Sequence, residues 1–468
     1  MIAQKNFRTE ADKVLDWIDN YFKGIGDLPV KSRVKPREIY NLLPSEAPLQ
    51  GEDITDIIKD LDTIILPGIT HWQHPSFHAY FPANSSYESV LGEMATAAIG
   101  AQCMVWDTSP AAAELEERMT EWMAAAAGLP ESFTGVIQDS ASSATLVAIL
   151  TARERATQFK SNLEGVPPGL RVYCSSEAHS SIEKGVGVAG IGRNNLVKIE
   201  TDSEQRMIPD KLEQAISEDL ASGLTPICVV AAIGTTGTVA LDPLPEIAAI
   251  CKKYNVWLHC DAAYAGTALL LPEYRYICNG IEHADSLVFN PHKWMFVNFD
   301  CSLYYVKDTA SLIRTFDILP EYLKTATHGA VNDYRDWGIP LGRRFRALKL
   351  WFVLRGFGLE GIQQRLREQI ALNEYFAERI SQSGYFKLMK PPFLGFTLFR
   401  VNDNDDAVSE KLLASVNASG KIYLSHTKVN GQFAIRFHAA QTYIQKEDIE
   451  KAVETLIQLS GNSTVMAN

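Results

Sequence analysis

The chain contains no CxxC pair, no unbroken apolar run of about 18 residues and no excess of basic charge. Each absence excludes a class of protein. The seven cysteines (Cys103, Cys174, Cys228, Cys251, Cys260, Cys278 and Cys301) are odd in number and widely spaced, which supports neither a zinc knuckle nor a thioredoxin-type site. Most stand in apolar runs such as Ile227-Cys228-Val229, where a reduced cysteine serves as a small core residue, so a reducing compartment is expected. Lacking a long apolar run, the chain is expected to carry no transmembrane helix. Met1 to Glu10 is too polar for a secretory signal, and the expected location is cytoplasmic. A formal net charge of -12 argues against broad nucleic-acid binding, which needs a basic surface.

What is present is an ordinary globular composition. Hydrophobic residues make up 46% and charged residues 21% of 468, enough chain to bury a large core without a disulfide or a metal. Length suggests about three units. We read an N-terminal helical and extended segment over residues 1–85, a large α/β unit over 86–350 and a smaller α+β unit over 351–468. Val14, Trp17, Ile18, Tyr21 and Phe22 predict a helix over Phe7 to Ile25, and a second is expected over Ile54 to Leu66. Between them, Leu28 to Gly51 reads as an extended connector. From Gly135 to Lys307, short β-prone runs alternate with helical stretches. The runs are 135–138, 171–174, 227–230, 256–259, 286–289 and 302–305. Several are apolar nearly throughout, as strands covered on both faces are, and the alternation predicts a mostly parallel sheet. Later come a helix over Leu348 to Phe357, strands at Leu394 to Arg400 and Phe433 to His438, a last helix from Lys446 to Leu459, and a polar tail that is expected to fray.

The chemistry collects after the strands. Gln138 is followed by Asp139-Ser140-Ala141-Ser142-Ser143, Cys174 by Ser175-Ser176-Glu177-Ala178-His179, Ile233 by Gly234-Thr235-Thr236-Gly237, His259 by Cys260-Asp261-Ala262-Ala263-Tyr264, and Phe289 by Asn290-Pro291-His292-Lys293-Trp294. Ligands of open α/β sheets bind beyond the carboxyl ends of the strands, so five strands direct polar groups to one crevice. Taken singly, each group has an ordinary use. Ser140 can cap a helix, Asp261 can cap a helix or bind a metal, His179 can be a structural histidine and Lys293 a solvated lysine. No histidine-rich ligand set accompanies Asp261, so no metal is expected. Together, a lysine able to form a Schiff base, an aspartate able to hold a pyridine nitrogen protonated and a helix start able to hold a phosphate imply pyridoxal 5′-phosphate (PLP).

At Asn290-Pro291-His292-Lys293-Trp294 the chain resembles the PLP-dependent group II decarboxylases, in their aromatic-L-amino-acid decarboxylase branch of dopa, tryptophan and tyrosine decarboxylases. The resemblance extends from about Phe7 to Ile449 and includes His74-Pro75, Ala79-Tyr80-Phe81-Pro82, His259-Cys260-Asp261-Ala262-Ala263-Tyr264-Ala265-Gly266 and Pro340-Leu341-Gly342-Arg343-Arg344-Phe345-Arg346. It implies PLP fold type I, like aspartate aminotransferase, and a homodimer with active sites at the subunit interface. By motif, Lys293 is implied as the Schiff-base lysine, with Asp261 on the pyridine nitrogen, Ala263 beneath the ring, His179 stacked above it and Thr236 at its side. Ser140, Ala141, Ser142, Asn290 and His292 are implied around the phosphate. Tyr322, on a lid reaching through Thr325 to Asn332, would return a proton to the substrate. Trp72, Tyr80, Phe81 and Pro82 fall on substrate-pocket positions, and Gln102, Met104 and Gly342 on ring-recognition positions. Gly342 leaves room for an indole ring without demanding one, since animal relatives that accept catechols carry glycine there too. The expected reaction is decarboxylation of an aromatic amino acid to its arylalkylamine, with tryptophan ranked first and 5-hydroxytryptophan, phenylalanine, tyrosine and dopa behind it. The alternatives are an aromatic aldehyde synthase, whose loop tyrosine is typically phenylalanine or whose stacking histidine is asparagine, and a catalytically silent PLP-fold binding protein. Glutamate and cysteine-sulfinate decarboxylases match the motifs less well.

Overall fold

A computed structural model describes residues 6–318, 330–403 and 405–465. Its centre is a seven-stranded sheet of β1 (Thr134–Gln138), β2 (Leu170–Ser175), β3 (Leu196–Ile199), β4 (Thr225–Ala232), β5 (Trp257–Asp261), β6 (Ser286–Phe289) and β7 (Ser302–Val306). The strand order is β1-β7-β6-β5-β4-β2-β3. Only β7 runs against its neighbours β1 and β6; the pairings from β6 to β3 are parallel. The six expected strands are present. β3 escaped the reading because Leu196–Ile199 is short and carries Lys198 among its apolar residues.

Helices cover both faces, so the central strands are apolar on both sides. In β4, Val229 and Ala231 join the core on one face while Cys228 and Val230 join the other. The sheet and its crossovers pack too closely for side chains at two glycines. A Cβ on Gly266 would lie 2.3 Å from the Phe289 Cβ. Gly234, which leaves β4 at φ +92, has the Ala265 Cβ at 2.8 Å from where its own would be.

A second, antiparallel sheet of β8 (Phe386–Leu388), β9 (Phe396–Val401), β10 (Ser425–Val429) and β11 (Gln432–His438) has the order β10-β11-β9-β8. β8 and β10 were not anticipated, since both alternate in burial and carry lysine or histidine. The helix expected at Leu348 to Phe357 runs from Arg346 to Gln382 and bends at Gly358, whose φ of 67 and ψ of 161 are not helical. The N-terminal helix spans Phe7–Gly24 as expected. The second expected helix is α-helical only over Ile54–Asp60 and widens into a π-turn at Leu61–Ile65. The connector between them contains a short helix, Glu38–Leu42. The final helix continues from Lys446 to Val465 rather than fraying at Ser460.

Candidate active site

The carboxyl ends of the central strands surround a cavity of about 310 Å³. Ser140, Ala141, Ser142, His179, Thr236, Asp261, Ala263, Asn290, His292, Lys293 and Phe81 all line it. The sheet thus brings together every expected cofactor residue. Tyr264, Thr235, Ser181 and Phe299 line it as well. The first three lie within one or two residues of sites that had been singled out, so the strand-end rule reaches them. Phe299, on the following loop, carries no such signal.

Each polar group is held by a neighbour that leaves one function free. Ser140 does cap the helix Ala141–Ala156, its Oγ accepting from the Ser143 amide at 3.2 Å. The cap and the anion site coexist, because the first helical amides, those of Ala141 and Ser142, have no carbonyl to reach within the helix. Such donors at a helix start suit a phosphate. The Asn290 Oδ1 accepts from the Ser302 hydroxyl at 2.6 Å, which leaves its amide NH2 to donate. The His292 Nδ1 accepts from the Cys301 amide at 3.0 Å. Burial, aided by the Lys293 charge, pushes its pKa down to about 3, so His292 is neutral with its proton on Nε2. Four donors therefore converge, as a phosphate requires.

At the other end of the cavity, the Asp261 Oδ1 accepts from the Ala263 amide at 3.1 Å. The partly buried carboxylate keeps its second oxygen for a cationic partner such as a protonated ring nitrogen. Burial lowers the Lys293 pKa, and the Asp261 charge opposes that fall. The shift favours the neutral amine, the nucleophilic form. The His179 Nδ1 accepts from the Ser181 amide at 3.2 Å and meets the Ser181 hydroxyl at 2.8 Å. Burial lowers its pKa, Asp261 raises it and Lys293 lowers it further. The neutral ring thus carries its proton on Nε2, where it can donate.

The expected substrate residues divide. Phe81 is buried, its ring stacked on Tyr264 at 4.2 Å, and the Lys293 Nζ lies 5.5 Å from its centroid. Trp72 and Tyr80 stack at 5.6 Å on an exposed rim next to Phe81, and Pro82 is buried beside it. Of the expected substrate residues, Phe81 alone lines the cavity; the chain departs from a single-pocket expectation, and Gln102, Met104 and Gly342 stand outside it. They form a separate patch in which the Arg343 amide donates to the Gln102 Oε1 at 2.8 Å, the Arg335 amide donates to the Met104 carbonyl at 3.0 Å, and a Cβ on Gly342 would lie 3.2 Å from the Gln102 Nε2. The patch is anchored to the sheet by a buried ion pair, the Arg343 guanidinium donating to both Glu116 oxygens at 2.6 and 3.1 Å and to the Ile137 carbonyl at 2.8 Å. Tyr322 lies outside the described residues.

The second sheet also reaches the cavity. Arg436, buried on β11, donates to the Thr236 carbonyl at 2.9 Å and to the Ser425 Oγ at 2.8 Å, with its guanidinium 5.4 Å from the Phe81 centroid. Ser425 in turn accepts from the Tyr80 amide at 3.0 Å. Sequence reasoning missed these residues, because they follow no strand of the parallel sheet.

Comparison with known proteins agrees with this geometry. Residues 36–402 match the pyridoxal-dependent decarboxylase conserved domain. The chain is 41% identical to tyrosine decarboxylase 2 of Narcissus pseudonarcissus, over 96% of this chain and 92% of that one. It is 41% identical to phenylacetaldehyde synthase of Arabidopsis thaliana, over 96% and 94%. A crystal structure of Oryza sativa TDC with PLP and tryptamine superposes with a TM-score of 0.95 at 31% identity, covering 99% of both chains. The four converging donors, the lysine and the aspartate fit PLP. The chain belongs to the pyridoxal-dependent decarboxylase family and is a PLP-dependent carboxy-lyase of fold type I, within the aromatic amino acid group.

Proposed function

We propose that the protein decarboxylates an aromatic L-amino acid to the corresponding arylalkylamine, with tryptophan the favoured substrate. The observation that carries this reading is the meeting of Lys293, Asp261 and the four phosphate donors in one cavity that Phe81, Tyr264 and Phe299 also line. When bound, PLP draws the electrons released by CO2 loss into its ring. The residues of the chain do the rest. Lys293 would hold the cofactor through its amine. Asp261 keeps a positive charge on the ring nitrogen. His179 would offer its Nε2 proton within the same cavity. Tyr322 is assigned the proton transfer to the former α-carbon. Trp72, Tyr80, Phe81 and Pro82 receive the aromatic ring and exclude water from it.

Gln102, Met104 and Gly342 act on the same ring from a second copy of the chain. Apolar side chains exposed at Leu91, Met94 and Ile99 on the helix Tyr87–Ile99, and at Ile339 and Leu341, give that copy a surface to cover. Gly342 leaves space for an indole. Turnover of tryptophan, 5-hydroxytryptophan, tyrosine, dopa, phenylalanine and glutamate by PLP-loaded protein tests the reading. Amine from aromatic substrates, tryptophan leading and glutamate inert, is the expected result. Turnover of glutamate alone would overturn it.

A further inference from the structure

Beside Phe81, the chain holds Tyr80 in the left-handed region at φ +55, a conformation that a bulky residue adopts only where its surroundings enforce it. The enforcing contacts come from the second sheet and the loop before it. Ser425 accepts from the Tyr80 amide at 3.0 Å, and the Tyr80 hydroxyl meets that of Tyr423 at 3.3 Å. Trp72 stacks on Tyr80 from another side, and Tyr423 packs edge-on against both Tyr80 and Phe77. The backbone is thus held in a costly conformation that places one phenol against another at the aromatic rim.

That pairing has a chemical consequence. Burial and the Tyr80 hydrogen bond push the Tyr423 pKa up to about 12, so Tyr423 keeps its proton at neutral pH. Two phenols own two protons, and one suffices for their mutual bond. The other O–H remains a donor, and lone pairs remain as acceptors. At 3.3 Å the mutual bond is also long for two hydroxyls, so a third polar group competes for it readily. The partly exposed ring of Trp72, stacked on Tyr80, offers apolar contact beside the pair.

We infer that the Tyr80–Tyr423 hydroxyl pair is a specificity device that selects aromatic substrates whose ring carries its own hydrogen-bonding group, a phenolic hydroxyl or an indole N–H, over the bare phenyl ring. This rests on the proposed decarboxylase reading. Tyr423 is a ring-recognition residue that the motif positions do not include. The pair leaves the cofactor alone and acts only on the far end of the substrate.

The test uses the full-length PLP-loaded protein and its Tyr423→Phe variant, which keeps the ring and its packing. kcat/KM is measured for tyrosine, tryptophan and phenylalanine. Separately, binding of tyramine and phenethylamine is measured by calorimetry, which needs no turnover. One neutral hydrogen bond corresponds to a loss of roughly 2- to 10-fold. Expected are falls of that size for tyrosine, tryptophan and tyramine, with phenylalanine and phenethylamine changed less than twofold. Equal changes for all ligands, or none, would overturn the inference while leaving the decarboxylase reading intact. A wild-type protein that forms no amine from any aromatic amino acid would sink the reading itself, and equal tyramine and phenethylamine affinities in that protein would sink the inference with it.

Discussion

The cofactor cavity and the Gln102–Gly342 patch are built by opposite means. In the cavity, each polar side chain comes off a strand end and is fixed by a neighbour: Asn290 by Ser302, His292 by Cys301, Asp261 by the Ala263 amide and Ser140 by the helix it caps. In the patch, two loops hold each other through amide contacts at an exposed surface, and a buried ion pair to Glu116 ties them to the sheet. The sheet holds the cavity's polar groups rigidly, whereas the patch stands on loops that can vary without disturbing the sheet.

The sharpest break in that comparison is Lys293→Ala. It should leave folding intact, abolish the visible absorbance that bound PLP acquires, and lower turnover by roughly 10⁴-fold or more, as loss of a nucleophile does. Glu116→Ala attacks the other side. It strands the Arg343 guanidinium in a buried site (side chains 7% and 3% exposed), which should cost about 3–5 kcal/mol, read as a lowered Tm. Well below that temperature the variant should still bind PLP but rank the rings less sharply. Unchanged ranking would show that the patch needs no anchor.

Acid should act on the cavity, through His292, and on the central sheet, through His259. Burial, first among the causes, holds His292 at about 3 and His259 at about 4, below the ordinary value of about 6.5. The unfolded chain therefore binds more protons. Their contribution to stability is complete above about pH 6.5 and declines as pH falls toward the folded values, by about 1.4 kcal/mol per unit for each. Denaturant titrations at pH 7 and pH 5 measure this. Gly342→Ser is the smallest change. Its side chain would press on the Gln102 amide and should shift the tryptophan-to-tyrosine ratio by about 10-fold toward the phenol while PLP affinity stays put.

The cavity was legible because strand ends are local. An apolar run followed by Asp139-Ser140 or Asn290-Pro291-His292-Lys293 announces both the strand and what lies beyond it. β3 and β10 were not legible, since short strands with alternating polar residues look like loops. Arg436, Ser425 and Tyr423 reach the site through the docking of the second sheet, each contact lying 200 or more positions from its partner in the chain. No local pattern encodes such contacts. The separation of Gln102 and Gly342 from the cavity was equally hidden, because motif positions name a role and not a place in the fold.

On the proposed reading, the cavity releases CO2 and returns a proton to the same carbon. The most direct measurement is the stoichiometry of amine, CO2, aldehyde and peroxide formed from tryptophan by PLP-loaded protein. Amine and CO2 in equal amounts with no peroxide are expected. Aldehyde and peroxide in step with CO2 would contradict that reading and make the protein an aldehyde synthase.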